Sequence, residues 1–350
     1  TPAESGNVVF EFYSCGGTQL LVNGEEVKKF TNKHGSRGTS YGMYVEANKP
    51  YKIEIKFQYF SGDAQLNFDL GFKRDADIKS SVAKVKDADV VIFVGGISPS
   101  LEGEEMGVDL EGFKRGDRTD IELPAVQREL IKALYNAGKK VVFVNCSGSP
   151  IGMEPETKYC QAILQAWYPG QSGGKAVADV LFGDYNPAGR LPVTFYRNIS
   201  QLPDFEDYNM AGRTYRYFKG DPLFPFGYGL SYTTFKYGNI QLPGTVTVGE
   251  TVKVTVPVTN NGNYDGDEVV QLYLKKQDDT DGPNKTLRAF KRIHIPAGQT
   301  VNVELELTPK QLEWWDNQTN TMRTMPGKFD IMIGNNSQNS NLQVQTIELK

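Results

Sequence analysis

The stretch that decides the fold is Val90-Val91-Ile92-Phe93-Val94-Gly95-Gly96, with Pro99 and Leu101-Glu102-Gly103-Glu104-Glu105-Met106 close behind it. A near-continuous apolar run ending at a glycine pair is the pattern of a strand buried on both faces of a parallel sheet. Pro99 keeps the next segment from closing into a helix. The acidic run is therefore a loop beyond the C-terminal end of that strand. Its three carboxylates, Glu102, Glu104 and Glu105, lie within four residues. Carboxylates this close repel, so partial burial raises the pKa of at least one, as a general acid requires. The local pattern also suits a solvated acidic surface loop.

A βαβ rhythm runs outward from this strand. Ile78 to Lys86 forms a short helix. Leu123 to Ala137 forms a longer one, with Pro124 in its first turn, an apolar stripe of Val126, Leu130, Ile131 and Leu134, and Gly138 as its stop. Val141 to Asn145 and Ala162 to Trp167 are further strands, and Gly173 to Leu181 is a helix closed near Gly183. Residues 75–235 thus predict an α/β sandwich with an open, mostly parallel sheet. The flanks are all-β. Residues 1–74 carry Val8 to Tyr13, a turn at Gly16-Gly17, a hairpin signal at Asn23-Gly24, and alternating strands over Tyr51 to Phe57 and Ala64 to Leu70. Residues 236–350 carry short alternating strands, among them Thr251 to Val258, Val269 to Leu274, Val301 to Leu307 and Lys328 to Gly334. They predict an immunoglobulin-like sandwich without a cysteine pair across it.

Composition narrows the function. Across 350 residues, 38 basic side chains face 42 acidic ones, with no dominant basic patch, so nucleic acid is not an expected partner. No apolar run reaches the length of a membrane span. Cys15, Cys146 and Cys160 are too few and too scattered for a disulfide framework or a metal cluster. With only His34 and His294, a Ser-His-Asp hydrolase or a histidine metal site is hard to build. No metal and no cofactor is expected.

Gly170-Gln171-Ser172-Gly173-Gly174 lacks the spacing of a nucleophile elbow and is too loose for a phosphate-binding fingerprint; its glycines suit the turn from Trp167-Tyr168-Pro169 into a helix. Asp117 and Arg118 in Gly116-Asp117-Arg118-Thr119-Asp120 are candidates for contacts to substrate hydroxyls. Arg118 equally suits an ion pair that holds the loop. Phe224-Pro225-Phe226-Gly227-Tyr228-Gly229-Leu230-Ser231-Tyr232 suits a packing role at a domain junction better than a sugar platform.

Taken in order, these pieces resemble the C-terminal half of family 3 glycoside hydrolases. The resemblance rests on Leu101 to Glu105, Gly116-Asp117-Arg118, Leu123-Pro124 with Gln127, and Trp167-Tyr168-Pro169-Gly170-Gln171 with Gly173-Gly174. Its most specific parts are Gly183-Asp184-Tyr185-Asn186-Pro187-Ala188-Gly189-Arg190-Leu191-Pro192 and Phe224 to Tyr232. Residues 236–350 look like that family's fibronectin-III-like domain. Residues 1–74 look like the later part of a PA14 insert. The acidic loop is most similar to those of bacterial β-xylosidases and β-glucosidases.

The resemblance implies a retaining exo-glycosidase that removes terminal β-linked xylose or glucose from oligosaccharides or other glycosides, in a periplasmic or secreted setting. Such enzymes use two carboxylates about 5 Å apart. In the family, the nucleophile is an Asp on a TIM barrel that precedes this portion, and the acid/base is a Glu in the sandwich-domain loop. That role maps first onto Glu104, then onto Glu102, then onto Glu105. The barrel is the expected partner of this chain, which is expected to be inactive or nearly so alone. The other functional class open to these blocks is a non-catalytic carbohydrate-binding or scaffolding module.

Overall fold

The computed structural model describes residues 1–60, 64–102 and 109–350, with backbone alone at 34–36 and 109; the elements below are those of the described residues. Strands β1 (Gly6–Val22), β2 (Glu25–Val45), β3 (Ile53–Gln58) and β4 (Gln65–Phe72) come first, followed by helix α1 (Ile78–Lys84) and strand β5 (Val90–Gly96). Three short strands follow, β6 (Asp109–Leu110), β7 (Phe113–Lys114) and β8 (Asp117–Arg118). Then come α2 (Ala125–Asn136), β9 (Lys140–Cys146), α3 (Glu156–Tyr159), β10 (Ala162–Gln165), α4 (Gly173–Phe182) and α5 (Thr214–Tyr217). The remainder is β: β11 (Phe235–Tyr237), β12 (Thr245–Val246), β13 (Val252–Asn260), β14 (Gly266–Lys276), β15 (Thr286–Ile295) and β16 (Thr300–Leu307). It closes with β17 (Trp314–Asp316), β18 (Thr321–Arg323), β19 (Gly327–Gly334) and β20 (Leu342–Leu349). The chain divides into two compact units, 1–86 with 100–118, and 87–99 with 119–350.

In the first unit, β1 is the hub. It pairs antiparallel with β2 along its length, with β4 over Val8 to Cys15, and with β3 over Gly17 to Val22. The chain does not turn at Gly16-Gly17, as the sequence pattern predicts. It runs on as one strand through a register shift between Ser14 and Gly16, with Gly16 at φ 139°. Glycine adopts that conformation without a Cβ penalty, and a bulge re-aims the strand without ending it. Asn23-Gly24 does form the β1–β2 turn, with φ 53° and 89°, the two positive values that a type I′ hairpin needs. Val8, Phe10, Phe12, Leu20, Val22 and Val45 make the core, lined by Ile53, Ile55, Leu66 and Phe72. Burying each such side chain contributes about 1.5–3 kcal/mol.

In the second unit, β10, β9 and β5 form a parallel sheet in that order. β5 is not buried on both faces: Val90, Ile92 and Val94 are exposed, Val94 at 65 %. The reason is its place in the sheet, at the edge and paired only with β9 among the described residues. Phe93, on its other face, packs on Phe143 of β9 at 5.7 Å. Helix α2 begins later than its apolar period suggests, with Pro124 as N-cap, and it buries Ile131 and Leu134 while Val126 is exposed. Gly183 closes α4 in the left-handed conformation at φ 86°, a common C-terminal stop.

The β-rich remainder is a sandwich. One sheet has the order β11-β13-β16 and the other β12-β20-β19-β14-β15. The inward positions of β13, Val252, Val254, Val256 and Val258, are fully buried against Leu272, Leu274, Phe329 and Ile331. β15 and β20, both outside the strand set legible in the sequence, complete the larger sheet. The cysteines are free thiols.

Candidate active-site loop

Within the first unit, β6, β7 and β8 form a small antiparallel meander directly after the acidic run. The β7–β8 turn is Arg115-Gly116, with φ 54° and 88°. Positive φ at both central positions is the two-residue hairpin geometry, and it sets Asp117 and Arg118 back alongside Lys114 and Phe113. The Arg118 guanidinium lies 5.8 Å from the centre of the buried Phe113 ring, a cation–π contact. Its NH1 is 3.7 Å from Glu102 Oε1, with the two side chains only 14 % and 16 % exposed. Glu102 is thus held in an ion pair at the mouth of the acidic run, while Asp117 is exposed. The two other sequence candidates, Glu104 and Glu105, lie outside the described residues.

The glycine pair ending β5 belongs to the second unit, and its chemistry is backbone packing. Gln127 accepts the Gly96 N–H at 2.8 Å and returns a hydrogen bond to the Gly96 carbonyl at 2.8 Å. A Cβ on Gly95 would stand 2.4 Å from Gln127 Oε1, and one on Gly96 would stand 2.0 Å from the Cys146 carbonyl oxygen. Neither position has room for a side chain. Tyr168 donates to the Ile97 carbonyl at 2.8 Å, which fixes the start of the segment leaving β5. The neighbouring Trp167 has φ 57°, an uncommon value for a bulky residue, and packs edge-on against Phe195 at 6.1 Å. A Cβ on Gly173 would meet Pro169 at 2.3 Å, so this glycine lets the Trp167-Tyr168-Pro169 turn enter α4. Ser172 makes no capping bond as N-cap.

Two charged networks went unseen in the sequence. Arg128 on α2 donates to Glu156 at 2.7 and 3.1 Å, to Glu122 at 2.7 Å and to the Gly152 carbonyl at 2.8 Å. Burial works against its charge, but the bonds to Glu156 and Glu122 prevail and hold the guanidinium above its usual range. The second network joins Arg190, in the Gly183 to Pro192 signature, to Glu268 at the head of β14 at 2.8 Å, both buried. Around it the Phe224 to Tyr232 segment packs by its backbone and rings. The Leu191 N–H donates to the Tyr228 carbonyl, the Gly227 N–H donates to the Leu191 carbonyl, and Phe224 stacks on Tyr228 at 5.3 Å. A Cβ on Gly229 would stand 2.2 Å from the Gly189 carbonyl oxygen. The signal for the second network was present as a carboxylate, Glu268, directly before the apolar pair Val269-Val270 of β14.

A parallel sheet with helices along the chain between its strands, followed by a β-sandwich, makes the second unit an α/β layer joined to an all-β domain. The profile of the glycosyl hydrolase family 3 C-terminal domain matches residues 14–232, and that of a fibronectin type III-like domain matches residues 268–337. The chain belongs to glycosyl hydrolase family 3. A xylan 1,4-beta-xylosidase of Xylanibacter ruminicola is 53 % identical over 352 residues, covering all of this chain and 40 % of that protein. A periplasmic beta-glucosidase of Salmonella typhimurium is 38 % identical over 74 % of this chain and 34 % of its own length. The crystal structure of a beta-glucosidase from Kluyveromyces marxianus shares the fold, with a TM-score of 0.79 at 23 % identity, covering all of this chain and 43 % of that one. The chain thus spans less than half the length of these relatives. Among the described residues, no helix is long and apolar enough to cross a membrane.

Proposed function

We propose that this chain is the C-terminal portion of a retaining, exo-acting β-glycosidase that removes terminal β-linked xylose or glucose from oligosaccharides and supplies the general acid/base. The observation that carries this reading is the 53 % identity to a xylan 1,4-beta-xylosidase along the whole chain, together with an acidic run whose first member is anchored by Arg118. Glu104 is the acid/base in this account. Glu102 and Glu105 flank it, and Asp117 and Arg118 contribute to substrate binding or to the posture of the loop. The nucleophile is an Asp on a preceding barrel domain, which accounts for the greater length of the relatives. Residues 1–74 are the later part of a PA14-like insert, and a periplasmic or secreted setting suits a protein acting on oligosaccharides.

The test is an assay of the purified chain on nitrophenyl β-xyloside and β-glucoside, alone and with the upstream portion restored. A general acid without its nucleophile has no covalent route. The account expects turnover only when the upstream portion is present. Robust turnover by the chain alone contradicts it, as does inactivity on both glycosides by the complete protein.

A further inference from the structure

A cleft of about 800 Å³ opens in the second unit between the segment following α5 and the larger sheet of the sandwich. Its floor carries Lys285, only 5 % exposed. The ammonium donates to the Ser337 carbonyl at 2.7 Å and to Asn339 Oδ1. A lysine ammonium has three N–H donors, so one remains uncommitted among the described residues. Thr194 lines the same cleft, is 6 % exposed, and has a hydroxyl without a hydrogen-bond partner among the described residues. An unmet buried hydroxyl costs about 1–3 kcal/mol, so its persistence at a cleft wall points to a ligand.

The charge in the cleft is unbalanced. Lys219, Lys275 and Lys285 face Asp221 and Asp330. Asp221 is already paired with Arg197 at 2.6 Å, and Asp330 stands across from Lys275 in the β14–β19 register, which leaves Lys219 and Lys285 without a paired carboxylate among the described residues. Burial, with Lys275 alongside, pushes the Lys285 ammonium down to about 8. A bound anion would relieve both effects.

One wall of the cleft is apolar and braced. Asn284 donates to the Phe218 carbonyl at 3.1 Å, and the Phe218 ring meets Tyr196 edge-on at 5.2 Å. Pro222 and Pro225 continue that wall.

We propose that this cleft binds a small organic anion, its acidic group held by Lys285, Lys275 and Thr194 and its ring-sized body lying along Phe218, Pro222 and Pro225. The head and the body make separable contributions. Glucuronate carries both, acetate only the head and glucose only the body.

The test is isothermal titration of the 350-residue chain with each of these three probes at about pH 6.5, where Lys285 is charged. Glucuronate is expected to bind at least about tenfold more tightly than acetate or glucose. Lys285→Met should weaken it at least about tenfold, the effect of losing a charge-assisted bond, and Thr194→Val should weaken it less. Affinity should fall as pH rises past 8, the pH at which Lys285 loses its charge; Lys275, Lys219, Asp221 and Asp330 are the other charged groups that line the cleft. If Lys285→Met does not fold, Lys275→Met on the half-exposed neighbour takes its place and should weaken glucuronate binding severalfold. Glucose binding as tightly as glucuronate, acetate binding as tightly as glucuronate, unchanged affinity in the lysine variants, or no binding of any probe at about 10 mM would each overturn the proposal.

Discussion

Arg118 NH1 lies 3.7 Å from Glu102 Oε1, and at 14 % and 16 % exposure the two side chains are shielded from most solvent. The pair ties the first carboxylate of the acidic run to the β8 strand that ends the meander. Removing Arg118 takes the ion-pair partner away from a mostly buried carboxylate. Arg118→Met should cost the first unit about 1–3 kcal/mol. Urea unfolding followed by tyrosine fluorescence checks this, and an unchanged midpoint would show that the pair contributes nothing.

Arg128 and Glu156 form the more consequential pair, because Glu156 is fully buried. Breaking a buried pair from one side costs about 3–5 kcal/mol. Arg128→Met should therefore destabilise the second unit strongly. Replacing Arg128 and Glu156 together with apolar residues should recover part of the loss. A double variant as unstable as Arg128→Met would contradict the pairing argument.

Lys285 gives the second unit a pH signature. Its folded pKa of about 8 lies below the ordinary lysine value of 10.5. Between those values the unfolded chain binds more protons than the folded one, so this group's contribution rises with pH. Below 8 the cost of burying the charge is fully present. Without ligand, the stability of the wild type relative to Lys285→Met should climb by about 1–3 kcal/mol from pH 8 to 10.5. Taking the difference between the two proteins cancels the contributions of the groups they share. A flat or falling difference would contradict the burial of that charge.

Burial, and then the adjacent Glu156, push the Cys160 thiol up to about 12. Since the thiolate is the reactive form, alkylation of native Cys160 at about pH 8 should run about 10³-fold slower than that of a free cysteine. Peptide mapping after timed iodoacetamide treatment measures this. Labelling of Cys160 at the rate of a free thiol would contradict it.

The sequence displayed the outline of this fold because periodicity carries it. Strict alternation in Val252 to Val258 and Val301 to Leu307 reports a half-buried sheet, and both segments are strands with their valines inward. Periodicity does not report what covers a face. The Val90 to Val94 run therefore reads as doubly buried, although its strand is an edge with alternate residues exposed. Nor does it tell a turn from a bulge, since the glycine at 16 serves either and only pairing with β2 selects the bulge. The acidic run stood out by its local charge density. Arg128, Arg190 and Lys285 did not, because each finds a defining partner 28 or more residues away, at Glu156, Glu268 and Ser337, beside the nearer contacts Arg128–Glu122 and Arg190–Gly189. Such pairings exist only once the chain has folded.

The central claim is that the acidic loop supplies the acid/base, through Glu104. The direct measurement is the steady-state kinetics of Glu104→Gln and Glu102→Gln in the complete protein, on glycosides of graded leaving-group ability, with and without azide. General acid catalysis is worth about 10²- to 10⁴-fold. Glu104→Gln should lose activity in that range on poor leaving groups and much less on activated aryl glycosides, and azide should partly restore turnover by releasing the glycosyl-enzyme without a general base. Glu102→Gln should show a milder loss and no azide rescue. Leaving-group dependence and rescue in Glu102→Gln but not in Glu104→Gln would move the acid/base to Glu102, and their absence from both variants would contradict the claim that either residue is the acid/base.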